Sequence, residues 1–357
     1  MRQWSNHVVL IRDGIAHSVV WDAVWPSFCK TFHTIRYDRR GYGKSPASTT
    51  WYYETDDLAA LLHHLKVPRA ILVGSSHGGE LSIDFTLSHP DVVAQLILVD
   101  AVASGFPYSD HCLNRGMQNS KPFQQNDVKA GLANWAKDKY LLAPGHEAAQ
   151  KKLLDILMAS PQDLTHDDYA RPTQAALPRL HEIRVPTLIL TGDADIPDVH
   201  AHAGVIEAGI YGSRRVVLVE AGHLMYLEKP DEFTSIVISF IESNSHWGEI
   251  EHYVQSMNPY DLQKLVAALL RAMGYHVSWI APPGPDKGID ILAHNDPLGT
   301  STPRIKVQVK RRADTISLDG LRSFMAMLGE QDVGIFVSTG GFTSDAESQA
   351  RTKKPES

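Results

Sequence analysis

The stretch LVGSSHGG, residues 72–79, joins the end of an apolar run to a tight turn and the start of a helical pattern. The run ends at Val73, and the motif Gly74-x-Ser76-x-Gly78 follows at once. A nucleophile on a sharp strand-to-helix turn needs small neighbours, because larger side chains would collide there. The N-terminus of the following helix offers backbone N–H groups to an oxyanion. Taken alone, the motif fits either a nucleophile turn or an ordinary glycine-rich turn.

Apolar strands alternate with helix-length segments through residues 1–243. Most of these strands are continuous apolar runs, which is typical of parallel strands buried on both faces. Helical patterns at 54–65 and 78–88 lie between them. The alternation predicts an α/β fold with a parallel sheet. The predicted strands are 7–11, 33–37, 70–74, 95–99, 187–191 and 215–219.

Five motifs place chemistry after these strands, with serine, acid and histidine in that chain order. They are VVLIRDG (8–14), YDRRGYGKS (37–45), GSSHGG (74–79), VPTLILTGDAD (185–195) and EAGHLMYLEKPDEF (220–233). In these motifs and their order, residues 7–243 resemble the α/β-hydrolase superfamily. The resemblance implies a hydrolase domain over 1–243 with a helical lid at about 102–180. It further implies a small-molecule ester, lactone or amide as substrate, and no cofactor.

The same resemblance implies roles for individual residues. Ser76 is the expected nucleophile and His223 the base that takes its proton. Asp195 is the expected acid that orients His223, and Asp193 is the alternative. Asp100, after another strand, is most simply a loop cap and less simply a second candidate acid.

An oxyanion hole is expected from the backbone N–H groups of His77 and Ile15. The superfamily usually has His-Gly where this chain has Asp13-Gly14, and a carboxylate pointing inward there would oppose an oxyanion. The lid aromatic residues would line an apolar pocket or, as we favour, simply pack the lid: Phe106, Tyr108, Trp135 and Tyr140.

A second pattern begins after the polar stretch 244–257, which we interpret as a linker. Apolar residues recur at helical spacing through 258–277, with Pro259 in the first turn and Gly274 near the end. A smaller α/β domain is therefore predicted over 258–357. Its expected strands are 276–280, 289–293, 305–310 and 333–338, with a helix at about 318–328.

The segment RIKVQVKRR, 304–312, alternates apolar and polar residues as a half-buried strand does. Gln308 and Lys310 lie on one face, and Asp290 opens the preceding strand, so a hairpin would bring all three side chains together. A carboxylate and an amide oxygen can hold a hard divalent cation, which activates water against a phosphodiester. By spacing alone, a solvated strand face remains the alternative.

Four stretches together resemble the catalytic domain of Mrr-type restriction endonucleases, in the PD-(D/E)xK superfamily. The resemblance implies a DNA endonuclease with Asp290, Gln308 and Lys310 as its catalytic core. Mg²⁺ or a similar cation would be held by Asp290 and Gln308. The residues expected to hold DNA phosphates are Lys306, Arg311 and Arg312. The four stretches are NPYDLQKLVAALLRAMGYHV (258–277), DKGIDILAHNDPLG (286–299), RIKVQVKRR (304–312) and DVGIFVSTGGFTSDA (332–346).

Two departures from this endonuclease family stand out. The first helix commonly carries a glutamate that supports the metal, whereas this chain has Gln263, with Asp261 nearby. The chain also ends at RTKKPES (351–357), where members usually continue with a strand and a helix, so we expect a truncated domain. Cutting both DNA strands would need two copies of the domain, which favours a homo-oligomer.

Composition limits the classes of function. The 357 residues exceed the size of a typical single core, which favours two domains. The net charge is −7, and residues 244–357 carry 12 Lys and Arg against 13 Asp and Glu, so DNA binding must come from a local patch. Two cysteines suit a reducing cytoplasm. No signal core and no apolar run of about 20 residues is present, so we expect no membrane partner.

Three hypotheses follow for the whole chain. Both domains are enzymes, or a nuclease carries a non-catalytic hydrolase-fold sensor, or a serine hydrolase carries a domain that only binds DNA. Because both sets of catalytic residue types are intact, we favour the first. The combination suggests a role in defence against foreign or modified DNA.

Overall fold

The computed structural model describes residues 6–245, 247–284, 288–312 and 314–352. Two compact units divide at Ser245 and His246. Residues 1–5 and 353–357, which include most of the RTKKPES end, lie outside the described residues. Within the described ranges, none of the helices has both the length and the apolar character that crossing a bilayer requires.

Six strands form the sheet of the first unit in the order β2-β1-β3-β4-β5-β6. Every neighbouring pair is parallel, which confirms the predicted α/β class. The strand bounds differ from the predicted ones by at most two residues. The strands are β1 (His7–Ile11), β2 (His33–Arg36), β3 (Ala70–Ser75), β4 (Val93–Val99), β5 (Thr187–Gly192) and β6 (Arg214–Leu218).

Helices cover both faces of this sheet, and alternate strand residues supply two apolar cores. Val8 and Leu10 of β1 belong to one core, whereas Val9 and Ile11 belong to the other. All positions of β3 are buried, as a central parallel strand requires. The helices are α1 (Trp25–Thr31), α2 (Glu54–His64), α3 (His77–Ser88), α4 (Asp110–Gln124), α5 (Val128–Ala136), α6 (Glu147–Ala159), α7 (Pro197–Gly209), α8 (Met225–Glu228) and α9 (Pro230–Asn244).

The predicted lid corresponds to α4, α5 and α6 with two short 3₁₀ helices, Pro161–Leu164 and Leu177–Glu182. Ser109 caps α4 by accepting the N–H of Cys112, and Asp127 caps α5 by accepting the N–H of Ala130. These caps satisfy backbone donors that a helix start leaves without partners. Two of the helices in the predicted lid segment therefore have defined starts.

The second unit is a four-stranded mixed sheet in the order β10-β9-β8-β7. The pairs β7–β8 and β8–β9 are antiparallel, and β9–β10 is parallel. This confirms the predicted second, smaller α/β domain. Its elements are α10 (Trp247–Ser256), α11 (Pro259–Ala272), β7 (His276–Ile280), β8 (Ile291–His294), β9 (Arg304–Lys310), α12 (Leu318–Met325), β10 (Asp332–Ser338) and α13 (Ser344–Thr352).

The linker interpretation of 244–257 needs correction, because α10 occupies most of that stretch. Val254 and Met257 pack against the core of the second unit. Val254 lies in α10, and Met257 directly follows the helix, with its N–H bonded to the carbonyl of Tyr253 at 3.0 Å. The second unit therefore begins before residue 258.

We predict that Gly78→Ala destabilises the first unit, because an added Cβ would lie 2.5 Å from the carbonyl oxygen of Ile11 and clash with that of Arg12. Backbone cannot move aside as a side chain can, so the expected loss is about 1–3 kcal/mol. Calorimetric unfolding of the full chain measures it. Gly116→Ala in α4 is the matched control, since nothing lies within 4 Å of its added Cβ. It should be neutral or stabilising, and equal effects of the two substitutions would contradict the steric argument.

Candidate active sites

Ser76 lies on a strained turn between β3 and α3. Its φ is 54°, in the left-handed region that residues other than glycine rarely adopt. Its N–H donates to the carbonyl of Val99 at 2.8 Å, which ties the turn to the end of β4. Because α3 begins at His77, the N–H of His77 lies in a helix first turn, where backbone donors have no partner within the helix.

Asp195 and His223 meet at the same edge of the sheet. His223 Nδ1 lies 2.6 Å from Asp195 Oδ2, and the other carboxylate oxygen accepts the N–H of Ile196 at 2.6 Å. Asp195 is 5% exposed. Asp193, the alternative acid, is exposed, and its carboxylate accepts the N–H of Ala221. The geometry thus pairs His223 with Asp195 and not with Asp193.

The pKa of His223 is raised above its ordinary value of 6.5. Burial acts to lower this pKa, but the charge of Asp195 and the hydrogen bond to it outweigh the burial. Arg115 opposes them with its positive charge. A neutral His223 with its proton on Nδ1 can accept a proton at Nε2.

Asp100, expected to cap a loop, also lies close to Asp195 and His223. It is fully buried, has a φ of 44°, and accepts the N–H of Gly192 at 3.0 Å, as a cap would. One ligand atom each of Asp100, Asp195 and His223 lies within 4.8 Å of the others. Burial, then the charge of Asp195, raises the pKa of Asp100 well above its ordinary value. Asp195 and His223 are bonded to each other, and burial disfavours the charged form of Asp100, so the three groups are poor ligands for a cation.

The predicted oxyanion donor Ile15 is engaged elsewhere. Its N–H donates to Asp13 Oδ1 at 2.7 Å, and the N–H of Ala16 donates to the same oxygen at 3.0 Å. Tyr226 donates its hydroxyl to the other oxygen of Asp13 at 3.0 Å. In this arrangement His77 offers its N–H at the Ser76 turn, while that of Ile15 is taken by the carboxylate.

The ring of His77 faces two carboxylates. Nε2 lies 2.7 Å from Glu54 Oε2 and Nδ1 lies 3.2 Å from Glu80 Oε2. Burial and Arg39 act to lower the pKa of this histidine, yet Glu54 and Glu80 raise it overall. Both ring nitrogens are therefore committed, which agrees with a turn residue and not with a second base.

Asp290 and the strand that carries Gln308 and Lys310 are neighbours in the second unit. Ile291 pairs with Val307 in antiparallel register, and Asp290, the residue before Ile291, lies beside the part of β9 that contains Gln308. The N–H of Asp290 donates to the carbonyl of Val307 at 2.8 Å, and Asp290 Oδ2 accepts the N–H of Val309 at 2.7 Å. Lys310 follows two positions further along the same strand face.

The donor set fits a divalent cation. Asp290 Oδ2 is held by backbone, whereas Oδ1 accepts no hydrogen bond in the part of the chain that the structure describes. Burial raises the pKa of Asp290, and it lowers the pKa of Lys310 together with the charge of Arg312. A bound cation would favour the ionised Asp290. A carboxylate oxygen beside an amide side chain suits a hard cation such as Mg²⁺.

Gln263 braces this site from α11. It is 5% exposed, and its Nε2 donates to the carbonyl of Ala281 at 2.9 Å and to that of Asp290 at 3.1 Å. The amide therefore fixes the backbone of the candidate metal ligand. The sequence indicates that Gln263 brings no charge but can still form hydrogen bonds, and the structure identifies its two acceptors.

The three predicted phosphate-binding residues differ in their surroundings. Lys306 Nζ lies 2.8 Å from Asp332 Oδ2 and donates to the carbonyl of Met327 at 2.7 Å. This buried pairing argues against the expected phosphate contact and corrects it. Arg311 and Arg312 are exposed, although Arg311 Nε donates to the carbonyl of Gln255 at 3.1 Å. Their guanidinium groups keep further donors for an anion.

The parallel sheet, the Ser76 turn and the paired Asp195 and His223 define a hydrolase of the α/β type. The chain belongs to the alpha/beta hydrolase family, whose family model matches residues 8–236. Residues 254–356 match the Mrr_cat family model, described as a restriction endonuclease. The chain thus combines a hydrolase domain with an endonuclease-like domain.

Known proteins resemble the first unit. AB hydrolase superfamily protein YisY from Bacillus subtilis is 28% identical over 263 residues, covering 67% of this chain and 97% of its own. An esterase from Exiguobacterium antarcticum is 25% identical with a TM-score of 0.57, covering 66% of this chain and 92% of its own. Est816, described as an N-acyl homoserine lactone degrading enzyme, is 25% identical with a TM-score of 0.52, covering 66% of this chain and 93% of its own.

We predict that the acid limb of kcat/KM for a nitrophenyl ester lies above pH 6.5. Protonated His223 cannot accept the serine proton, and its pKa is raised, so the rate falls as pH drops through that raised value. Asp195→Asn should lower kcat by roughly 10⁴-fold. It should also move the acid limb to lower pH, because burial and the charge of Arg115 then determine the pKa of His223 and both lower it. Asp193→Asn is the matched control and should leave both quantities unchanged. A limb at or below pH 6.5, or equal damage from both substitutions, would contradict these assignments.

Proposed function

We propose that the first unit hydrolyses an ester, lactone or amide with Ser76 as nucleophile, His223 as base and Asp195 as orienting acid. The 2.6 Å contact between His223 Nδ1 and Asp195 Oδ2 carries this proposal. It keeps the histidine proton on Nδ1 and leaves Nε2 to receive the proton of Ser76.

The proposed reaction proceeds in two stages. Ser76 Oγ attacks the carbonyl carbon while His223 takes its proton, and the protonated histidine then gives that proton to the departing group. Water, deprotonated by His223, then attacks the acyl-serine and restores Ser76. The N–H of His77 would stabilise the oxyanion, and Ile15 would contribute once its N–H leaves Asp13.

A second function is favoured by one observation, the hydrogen bond from Ile15 to Asp13. If that carboxylate keeps the second oxyanion donor, the first unit binds a small molecule without hydrolysing it and acts as a sensor. Chemical labelling of the serine distinguishes the two functions.

We predict that a fluorophosphonate probe labels the full-length protein at Ser76. Such a probe reacts with an activated serine, so labelling should disappear in Ser76→Ala. Ser75→Ala is the matched control, because Ser75 is fully buried and only donates to Tyr226, and its labelling should persist. Labelling that survives Ser76→Ala contradicts the nucleophile, and labelling of neither wild type nor control favours the sensor.

For the second unit we propose divalent-cation-dependent DNA cleavage, Mg²⁺ being the expected ion. The carboxylate of Asp290, held by the N–H of Val309 one residue beyond Gln308, supports this proposal. Bound Mg²⁺ would supply a more acidic water and balance the charge of the scissile phosphate. Lys310, whose pKa is lowered, would orient that water or take its proton. Arg311 and Arg312 would hold neighbouring phosphates.

We predict that the full chain nicks supercoiled plasmid in Mg²⁺ and that EDTA abolishes the nicking. Asp290→Asn and Lys310→Ala should each reduce it by about 10²-fold or more. Lys264→Ala removes a lysine whose side chain is 71% exposed, outside the proposed site, and is the matched control. Equal nicking by wild type and the two site variants would contradict the nuclease. Comparing methylated with unmethylated plasmid tests the proposed role in defence against modified DNA.

A further inference from the structure

A polar cavity of about 350 Å³ opens between α4 and the turn at 138–140. Its volume is that of a small-ligand site. Amides and cations dominate its lining, in contrast to the apolar pocket considered for the lid. The lining includes His111, Asn114, Arg115, Gln118, Lys139 and Tyr140.

Three contacts place this cavity beside the candidate hydrolase site. The carbonyl of Tyr140 accepts the N–H of His223 at 2.9 Å. Ser109, the cap of α4, donates its N–H to Asp198 at 2.6 Å, three residues beyond Asp195. The charge of Arg115 also acts on His223. The cavity is therefore a neighbour of His223, and a ligand in it would lie beside the candidate hydrolase site.

Arg115 is fixed in the cavity wall with a donor left over. Its Nε donates to Asp138 Oδ2 at 2.7 Å. Its guanidinium lies 5.6 Å from the ring centroid of Trp135 and 5.5 Å from that of Tyr140. Nη2 is buried and has no hydrogen bond among the described residues. Buried donors without partners are costly, so this one favours an acceptor from a ligand.

Asp138, the anion in the lining, already accepts hydrogen bonds from its neighbours. Its carboxylate accepts from Arg115, from Asn119 Nδ2 and from the N–H of Tyr140. Burial acts to raise the pKa of Asp138, but the hydrogen bond from Arg115 leads the effects that lower it, so it stays ionised. Lys139 adds a second cation, with Nζ 4.9 Å from the ring centroid of Tyr140. The cavity lining therefore carries more positive than negative charge.

We propose that this cavity binds a carboxylate carried by the substrate of the Ser76 site. The proposal rests on the hydrolase function proposed above and names its substrate class. A guanidinium held in one orientation presents paired N–H donors that match the two oxygens of a carboxylate. An uncharged alkyl arm would leave Arg115 Nη2 without a partner and would gain little from a polar wall.

Two matched ester pairs test the proposal on the full chain. In one pair the carboxylate is on the acyl side: mono-4-nitrophenyl adipate against 4-nitrophenyl hexanoate. In the other it is on the alcohol side: 4-carboxyphenyl butanoate against its methyl ester. We expect the acid to be preferred at least tenfold in kcat/KM in one pair. Arg115→Gln should abolish that preference and Arg115→Lys should restore part of it. Lys139→Gln, at an exposed position that is less apt to disturb folding, should reduce it.

Lys137→Gln is the matched control, because Lys137 is exposed and does not line the cavity; it should keep the preference. If each neutral ester is turned over as well as its acid partner or better, the carboxylate site is overturned and the hydrolase function stands. If no ester is turned over and Ser76 is not labelled, the hydrolase fails, and a binding measurement still tests the cavity. Calorimetric titration of Ser76→Ala should show hexanoate binding at least tenfold more tightly than hexanamide, with the difference lost in Arg115→Gln. Equal binding overturns the proposal.

Discussion

The close backbone contact at Gly74 and Gly78 is the constraint on which the first domain depends. A Cβ at either position would meet backbone, the carbonyl of Gly78 in one case and that of Ile11 in the other. Helix α3 can approach β1 and β3 only because both side chains are absent. That approach forces the left-handed turn at Ser76 and directs the turn to the sheet edge where the loops after β4, β5 and β6 converge. The packing of α3 on the sheet and the position of Ser76 thus depend on the same two glycines.

Much of the first domain was predictable because parallel strands impose one rule. Buried strands are continuous apolar runs, and their carboxyl ends meet at one edge, so a contact between Asp195 and His223 could be expected from their order. The bond between Asp13 and Ile15 followed no such rule, since it depends on a side-chain rotamer within one turn. Arg115 was missed for another reason: which face of a lid helix meets the site is decided by tertiary packing. One signal was present in the sequence. Asn114, Arg115 and Gln118 lie in a helix with few apolar residues, which indicates a polar face.

In the second domain, strand periodicity predicted the pairing of the strand after Asp290 with the strand that carries Gln308 and Lys310, and the register shows that pairing. Charge was a weaker guide than periodicity. Lys306 shares the strand face of Gln308, yet Asp332 on the neighbouring strand takes its ammonium group. A basic residue is available to a phosphate only when no carboxylate lies close enough to pair with it. The sequence does not show which carboxylate on a neighbouring strand will do so. The helix α10 was missed because polar residues interrupt the apolar ones along this stretch of sequence.

Gln263 illustrates how a substitution can exchange one kind of support for another. Its amide gives hydrogen to two carbonyl oxygens, on Ala281 and Asp290, and a carboxylate in the same place could give none. A change back to glutamate would set a negative charge against two carbonyl dipoles at a buried position. The amide therefore holds the main chain of the loop that carries Asp290 and leaves the loop's side chains free of this contact. Loss of the amide would remove one hydrogen bond from each carbonyl and so loosen the backbone on which the candidate metal ligand stands.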